Sequence, residues 1–270
     1  SVLKEAQAAV GNFDNLDLSL LEISHRSKSF VAVMDEATAL VKEVLNVPEG
    51  YSVIFLQGGA SLGFLITVMN LMRENGKAAY TDTGAWANKA IKEAKNFGAV
   101  EVLGSSKDAN YNYIPKDYTV PSDVDYFHCT SNNTIYGTQM KSFPSCSVPL
   151  VCDMSSDIFS KTINVADFDL IYAGAQKNLG PAGATLYIVK DEVLGKSSAQ
   201  FMPTYLDLKQ HIEKESMLNT PPVFSVYVAM LNLRHLIANG GVAAQAQKNE
   251  AKAKLLYDAI DQLDAFKGNV

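Results

Sequence analysis

Basic charge is what this chain most clearly lacks. Its 23 Lys and Arg stand against 29 Asp and Glu, a formal net charge of −6, so there is no basic face to attract nucleic acid or an anionic membrane surface. Cysteine is nearly as scarce: Cys129, Cys146 and Cys152 are the 3 present. They show no CxxC spacing, and two fall within or beside apolar strand-like runs, which suits reduced, buried thiols and a cytoplasmic setting. No apolar stretch approaches the roughly 20 residues of a membrane span. Residues 1–6 read as an amphipathic helix start without a signal-peptide core. Two nucleotide signatures are also missing. Neither Gly-x-Gly-x-x-Gly nor a P-loop ending in Gly-Lys-Ser/Thr occurs, so neither dinucleotide nor P-loop binding is supported. There is no internal repeat and no low-complexity tract.

What is present is enough apolar surface for a large core, with 47% hydrophobic residues in 270. Apolar, β-rich runs at 52–56, 77–80, 100–103, 124–129, 149–152, 170–173 and 184–189 read as strands. Helix-period segments fall at 30–45, 62–72 and 86–97. Strands alternating with helices mean βαβ units, an α/β fold and a mostly parallel seven-stranded sheet. After Pro221-Pro222 the pattern turns helical, over 223–238 and, past the Gly240-Gly241 break, 242–263. We expect one large domain over residues 1–240, with 241–270 a linking helix and the start of a truncated C-terminal small domain.

Lys177 lies in Ala173-Gly174-Ala175-Gln176-Lys177-Asn178-Leu179-Gly180-Pro181, between an apolar strand and a Gly/Pro-rich turn. Upstream, Asp153 closes the apolar run of residues 148–152. A lysine with a strand-end acid suits pyridoxal 5'-phosphate: the amine takes the cofactor aldehyde and the acid pairs with the protonated ring nitrogen. A solvated surface lysine is the competing reading. Gln57-Gly58-Gly59-Ala60-Ser61 follows a strand and opens a helix, as a phosphate site does, or as a tight turn does. Trp86, the 1 tryptophan, follows another strand, to stack on a flat ring or to fill the core. Thr134 ends a turn after the strand at 124–129, and a plain turn cluster is its alternative. His25-Arg26 offers an anion-binding fork, which a surface loop explains as well. Ligands of open α/β sheets collect at the carboxyl ends of strands, and Gly58, Trp86, Thr134, Asp153 and Lys177 each follow a different predicted strand. Their convergence favours a cofactor site.

The strings Ser24-His25-Arg26-Ser27, Gln57-Gly58-Gly59-Ala60-Ser61, Thr83-Gly84-Ala85-Trp86, Val151-Cys152-Asp153-Met154-Ser155-Ser156, Ala173-Gly174-Ala175-Gln176-Lys177-Asn178 and Asn219-Thr220-Pro221-Pro222 resemble the phosphoserine aminotransferase family within the class V aminotransferases. The likeness runs over about residues 1–263. It implies the three-layer α/β/α large domain of a fold type I pyridoxal-phosphate enzyme, with the C-terminal small domain largely absent from this chain. It implies that Lys177 bonds the cofactor and acts as the catalytic proton carrier, Asp153 pairs with the pyridine nitrogen, Trp86 stacks on the ring and Thr134 supports its substituents. Ala60, Ser61 and Gln176 would line the phosphate pocket, and Asn219 and Thr220 would reach the cofactor phosphate of the neighbouring subunit in a homodimer. Arg26, with His25 beside it, matches the family's substrate-anion contact. The substrates implied are L-glutamate and 3-phosphohydroxypyruvate, giving 2-oxoglutarate and O-phospho-L-serine, with 4-phosphohydroxythreonine of vitamin B6 synthesis as a possible second product. No metal is expected.

Two rivals remain at this stage. A cysteine desulfurase or other class V transaminase shares the fold, although Trp86 holds the place where desulfurases stack a histidine, and the three cysteines look buried. A noncatalytic module holding a phosphate ligand on Gly58-Gly59 is the second, and it would need neither Lys177 nor Asp153.

Overall fold

The computed structural model describes residues 1–196 and 201–270. In chain order the elements are α1 (Val2–Gly11), α2 (Lys28–Leu45), β1 (Tyr51–Leu56), α3 (Gly59–Leu71), β2 (Lys77–Asp82), α4 (Ala85–Ala94), β3 (Ala99–Ser105), β4 (Phe127–Thr130), β5 (Leu150–Asp153), β6 (Leu170–Gly174), β7 (Thr185–Lys190), α5 (Leu208–Glu213), α6 (Val223–Ala238) and α7 (Gly241–Gln262). Local chemistry sets several of the ends. The Ser27 hydroxyl accepts the Phe30 N–H to start α2, and Asn46, left-handed at φ 48°, stops it. Between these caps Phe30, Val33, Met34, Ala37, Val41 and Leu45 recur every three or four residues and form its buried stripe.

The sheet has seven strands in the order β1-β7-β6-β5-β4-β2-β3. Strands β2 to β6 pair in parallel, and β7 runs antiparallel to both β6 and β1. The mostly parallel α/β sheet read from the sequence is therefore present, with one antiparallel strand that the pattern did not announce. Side chains alternate between two cores as a period of two requires. Ile171, Ala173, Leu186 and Ile188 join the layer containing α2 and α6. Leu170, Tyr172, Tyr187 and Val189, one residue out of phase, join the layer containing α3 and α4. The result is a helix–sheet–helix sandwich whose central strands β4 and β5 are buried on every residue. At the edge β3 leaves Val102 41% exposed. The 62–72 helix begins earlier than expected, at Gly59, and α5 had no counterpart in the sequence reading. α7 buries only Val242 among its residues.

The second core is unusually rich in tyrosine. Tyr80, Tyr126, Tyr172 and Tyr187 are all at most 1% exposed. Burial of a phenol is costly without a partner, and three of the four have one: Tyr80 and Tyr126 share a hydroxyl–hydroxyl contact of 2.7 Å, and the Tyr172 hydroxyl meets His128 Nε2 at 2.8 Å, while the Tyr187 hydroxyl finds none among the described residues. Helix α3 approaches this layer closely because residue 63 is glycine; a Cβ there would stand 2.7 Å from Tyr172 Cδ2. In an open helix Gly→Ala stabilises by about 1 kcal/mol, whereas overpacking a core costs about 1–3 kcal/mol. Tyr172 is held by His128 and cannot yield cheaply, so the second effect wins. We expect Gly63→Ala to lower the unfolding midpoint of the protein, read by calorimetry; a rise would show that α3 has room to move.

Candidate active site

The parallel strands deliver their carboxyl ends to one edge of the sheet, and side chains just beyond those ends enclose a cavity. Its walls are Ala60, Trp86, Thr130, Asn132, Thr134, Asp153, Ser155, Ser156, Gln176 and Lys177. Asp153, the last residue of β5, is 4% exposed, and its Oδ1 accepts the Ser155 N–H at 2.9 Å. Ser155 Oγ in turn accepts the Gly174 N–H at 3.0 Å, joining the ends of β5 and β6. Three residues past β6, Lys177 donates from Nζ to Thr134 Oγ1 at 2.6 Å. Lysine and acid thus face the same space from neighbouring strands.

Two loops bring in the remaining walls. Asn133 Nδ2 donates to the Thr83 carbonyl at 2.5 Å, tying the loop that bears Thr134 to the turn ahead of Trp86. Gly84 permits the approach, since a Cβ there would meet the Asn133 amide at 2.3 Å. Lys89 Nζ lies 4.1 Å from the centre of the Trp86 ring, a cation–π contact that fixes the indole. At the start of α3, Gly58 takes φ +102° and Gly59 φ +63°, and no side chain caps the helix. Its first N–H groups stay available to an anion beside Ala60.

Electrostatics follow from burial. Desolvation pushes the Asp153 carboxyl from its ordinary 3.8 up to about 6, against the opposing pull of the Ser155 hydrogen bonds and the Lys177 charge. Lys177 is lowered by partial burial of its ammonium, against the attraction of Asp153 and Asp157. Thr130 Oγ1 is buried with no hydrogen-bond partner among the described residues, leaving a polar atom on the cavity wall to be satisfied.

The sequence matches the family described as Aminotransferase class-V over residues 1–270. The chain belongs to the class V aminotransferases. Among its relatives, a phosphoserine aminotransferase of Flavobacterium psychrophilum is 60% identical over 268 residues, covering 99% of this chain and 75% of that protein. The solved phosphoserine aminotransferase of Bacillus circulans subsp. alkalophilus superposes with a TM-score of 0.93 at 43% identity, covering 97% of this chain and 73% of that one. A pyridoxal-phosphate-bound phosphoserine aminotransferase from Trichomonas vaginalis gives a TM-score of 0.94 at 33% identity, covering 100% and 76%.

Of the residues singled out in the sequence of this class V aminotransferase, Ala60, Trp86, Thr134, Asp153, Gln176 and Lys177 meet at the cavity. Ser61 lies beside it in the first turn of α3. His25, Arg26, Asn219 and Thr220 do not line it. Arg26 is exposed, its Nε 3.4 Å from His25 Nε2, and Thr220 is held through its carbonyl by Gln57 Nε2 at 2.7 Å. Thr130, Asn132, Ser155 and Ser156 were not singled out, although Ser155 and Ser156 sit inside the string at 151–156 and Thr130 and Asn132 lie in the turn that leads to Thr134. Cys129 and Cys152 are buried as expected, but Cys146 is only half-buried, because it lies in the loop ahead of β5 and not in a strand.

A buried acid with a raised pKa destabilises the cofactor-free protein in a defined pH window. The folded state holds the Asp153 proton more tightly than the unfolded chain, so stability falls as pH rises from about 4 to about 6 and stays lower above. The rise to about 6 corresponds to about 3 kcal/mol. Asp153→Asn removes the charge. Cofactor-free Asp153→Asn is expected to exceed the parent in unfolding free energy at pH 8 by up to that amount, the gap closing toward pH 4. Parallel pH profiles in denaturant titrations would refute this account of the site.

Proposed function

We infer that this class V aminotransferase is a phosphoserine aminotransferase, using pyridoxal 5'-phosphate to move an amino group between L-glutamate and 3-phosphohydroxypyruvate. The observation that carries the reading is one cavity with Lys177 and buried Asp153 on its walls, in a chain with 60% identity to a phosphoserine aminotransferase over 99% of its length. The cavity fits the cofactor on its own chemistry. It offers an amine for the aldehyde, a buried acid for the ring nitrogen, an indole for the ring face, hydroxyls and amides for its substituents, and an uncapped helix start for the phosphate.

When bound, the cofactor supplies the electron sink that lets the substrate Cα–H bond ionise. The chain's residues do the rest. Lys177 would hold the cofactor through its amine, and once free that amine would serve as the base and acid that moves the proton at the substrate Cα. The lowered Lys177 pKa favours a neutral amine for that task. Asp153, held on one side by Ser155, would pair with the ring nitrogen and keep it protonated. Thr134, within 2.6 Å of Lys177 Nζ, orients the amine.

Beyond the cavity, the reading assigns Arg26, with His25, to a substrate carboxylate or phosphate, and Asn219 and Thr220 to the cofactor phosphate of a second subunit. All four lie outside the cavity of their own chain, as residues serving a site shared between subunits would. The functional unit in this proposal is a homodimer in the cytoplasm, where Cys129, Cys146 and Cys152 stay as free thiols. Sulfur chemistry is disfavoured because burial raises the pKa of Cys152 well above the ordinary thiol value, leaving no thiolate there.

The test is an absorbance spectrum of the purified protein with pyridoxal phosphate, with and without L-glutamate, beside Lys177→Ala. The parent should show a yellow band that glutamate bleaches and 3-phosphohydroxypyruvate restores. The variant should lose the band and about 10²–10⁴-fold in rate from proton transfer alone. A colourless protein that cannot be reconstituted would sink the aminotransferase reading and favour a phosphate-binding module.

A further inference from the structure

Behind the cavity lies a second buried acid that the chemistry above does not use. Asp157, one helical turn past Asp153, is 5% exposed yet accepts three side-chain donors from two directions. Ser131 Oγ donates to its Oδ1 in a very short contact. Gln139 Nε2 donates to Oδ2 at 3.1 Å, and Lys161 Nζ reaches the same oxygen at 3.4 Å. Ser131 Oγ also lies 3.0 Å from the Asp153 carbonyl, but a hydroxyl has one proton, and that carbonyl already accepts the Ser131 N–H at 3.0 Å. The charged, closer acceptor takes the hydroxyl.

Ser131 and Gln139 are the two feet of the loop whose tip carries Thr134. Asn132 and Gln139 pair across its base, and the Met140 N–H donates to the Ser131 carbonyl at 2.7 Å. Two further contacts join the same base to the Asp153 segment. Asn132 Nδ2 donates to Ser156 Oγ at 2.9 Å, and Lys161 Nζ donates to the Met140 carbonyl at 2.6 Å. Asp157 is the hub: it alone grips both feet and the lysine that braces the second foot. The segment holding it is itself constrained, with Phe159 at φ 62° and Ser160 Oγ donating back to the Asp157 carbonyl at 2.6 Å. A bulky residue in the left-handed region is retained only where its surroundings over-determine it.

We propose that Asp157 is a positioning residue for the cofactor site, its carboxylate locking the loop that carries Thr134 to the strand end that carries Asp153. The proposal rests on the reading that the cavity takes pyridoxal phosphate. Its physical content is preorganisation. With the clamp intact Thr134 stands opposite Lys177 before anything binds; without it, ordering the loop is charged against cofactor affinity.

Asp157→Asn tests this with little change of shape. An asparagine oxygen can still accept from Ser131, but its amide then faces Gln139 Nε2 and Lys161 Nζ, donor against donors, since Gln139 Oε1 is already held by Lys141 Nζ at 2.9 Å. Cofactor-free parent and variant are titrated with pyridoxal phosphate, with the unfolding midpoint of each cofactor-free protein recorded alongside. The dissociation constant of the variant is expected to rise about tenfold, with a changed absorption band. Adding Gln139→Glu to Asp157→Asn, which returns an acceptor to the amide and a partner to Lys161, should recover most of the affinity. A purely structural residue would lower the midpoint and leave the dissociation constant, measured well below the unfolding range, unchanged; that result overturns the proposal. Should Asp157→Asn fail to fold, Ser131→Ala, which removes only one bond to Asp157, must still weaken binding by about threefold, and an unchanged constant there is equally fatal. A parent that binds no pyridoxal phosphate would overturn the functional reading instead, a different outcome from a parent that binds beside a variant that binds equally well.

Discussion

An ionised carboxylate at the buried end of β5 is the constraint around which the site is built. Burial pushes the Asp153 carboxyl up to about 6 even with the Ser155 hydrogen bonds and the Lys177 charge pulling it down. Everything nearby that lowers it is placed by the backbone. The Ser155 N–H lies two residues on, Ser155 is itself pinned to the end of β6 by Gly174, and Lys177 follows on the same strand's exit. The charge stays on Asp153 only while β5 and β6 keep their register, Cys152 opposite Ile171 and Asp153 opposite Tyr172. A shift of one residue would turn the carboxylate to the other face of the sheet. The parallel sheet is therefore part of the chemistry.

That dependence explains why so much was legible in the sequence. A parallel sheet buried on both faces writes itself as short apolar runs, and the residue following each run lands on one edge, so Lys177, Asp153, Trp86 and Thr134 declared themselves by position. Features that depend on pairing across long stretches of chain did not. β7 carries the same apolar signature as its neighbours, and nothing local tells an antiparallel strand from a parallel one when both faces are buried. Helix α5 is too short, at six residues, for a 3.6-residue period to register. Asp157 looks like one more acid in a turn, since its partners Ser131 and Gln139 lie 26 and 18 residues away. Asn219 and Thr220 were legible only through resemblance, and Arg26 showed itself only as an anion-binding fork that a surface loop explained as well.

The two cores serve the edge differently. The layer of α3 and α4 holds Tyr80, Tyr126, His128, Tyr172 and Tyr187 directly beneath the strands that carry the site, and such groups could in principle place stray charge below Asp153. Burial prevents it. His128 is driven down to about 3 and stays neutral through the physiological range, and the phenols are raised by the same desolvation. Cys152 is likewise held as a thiol. The field at Asp153 is left to Asp157 with its partner Lys161, to Lys177, and to whatever the cavity binds. A sheet floor with many titratable residues but no titration near neutral pH lets two lysines and two acids decide the charge state of the site. Gly63 adds to that burial by bringing α3 down onto Tyr172, where a Cβ would stand 2.7 Å from Tyr172 Cδ2.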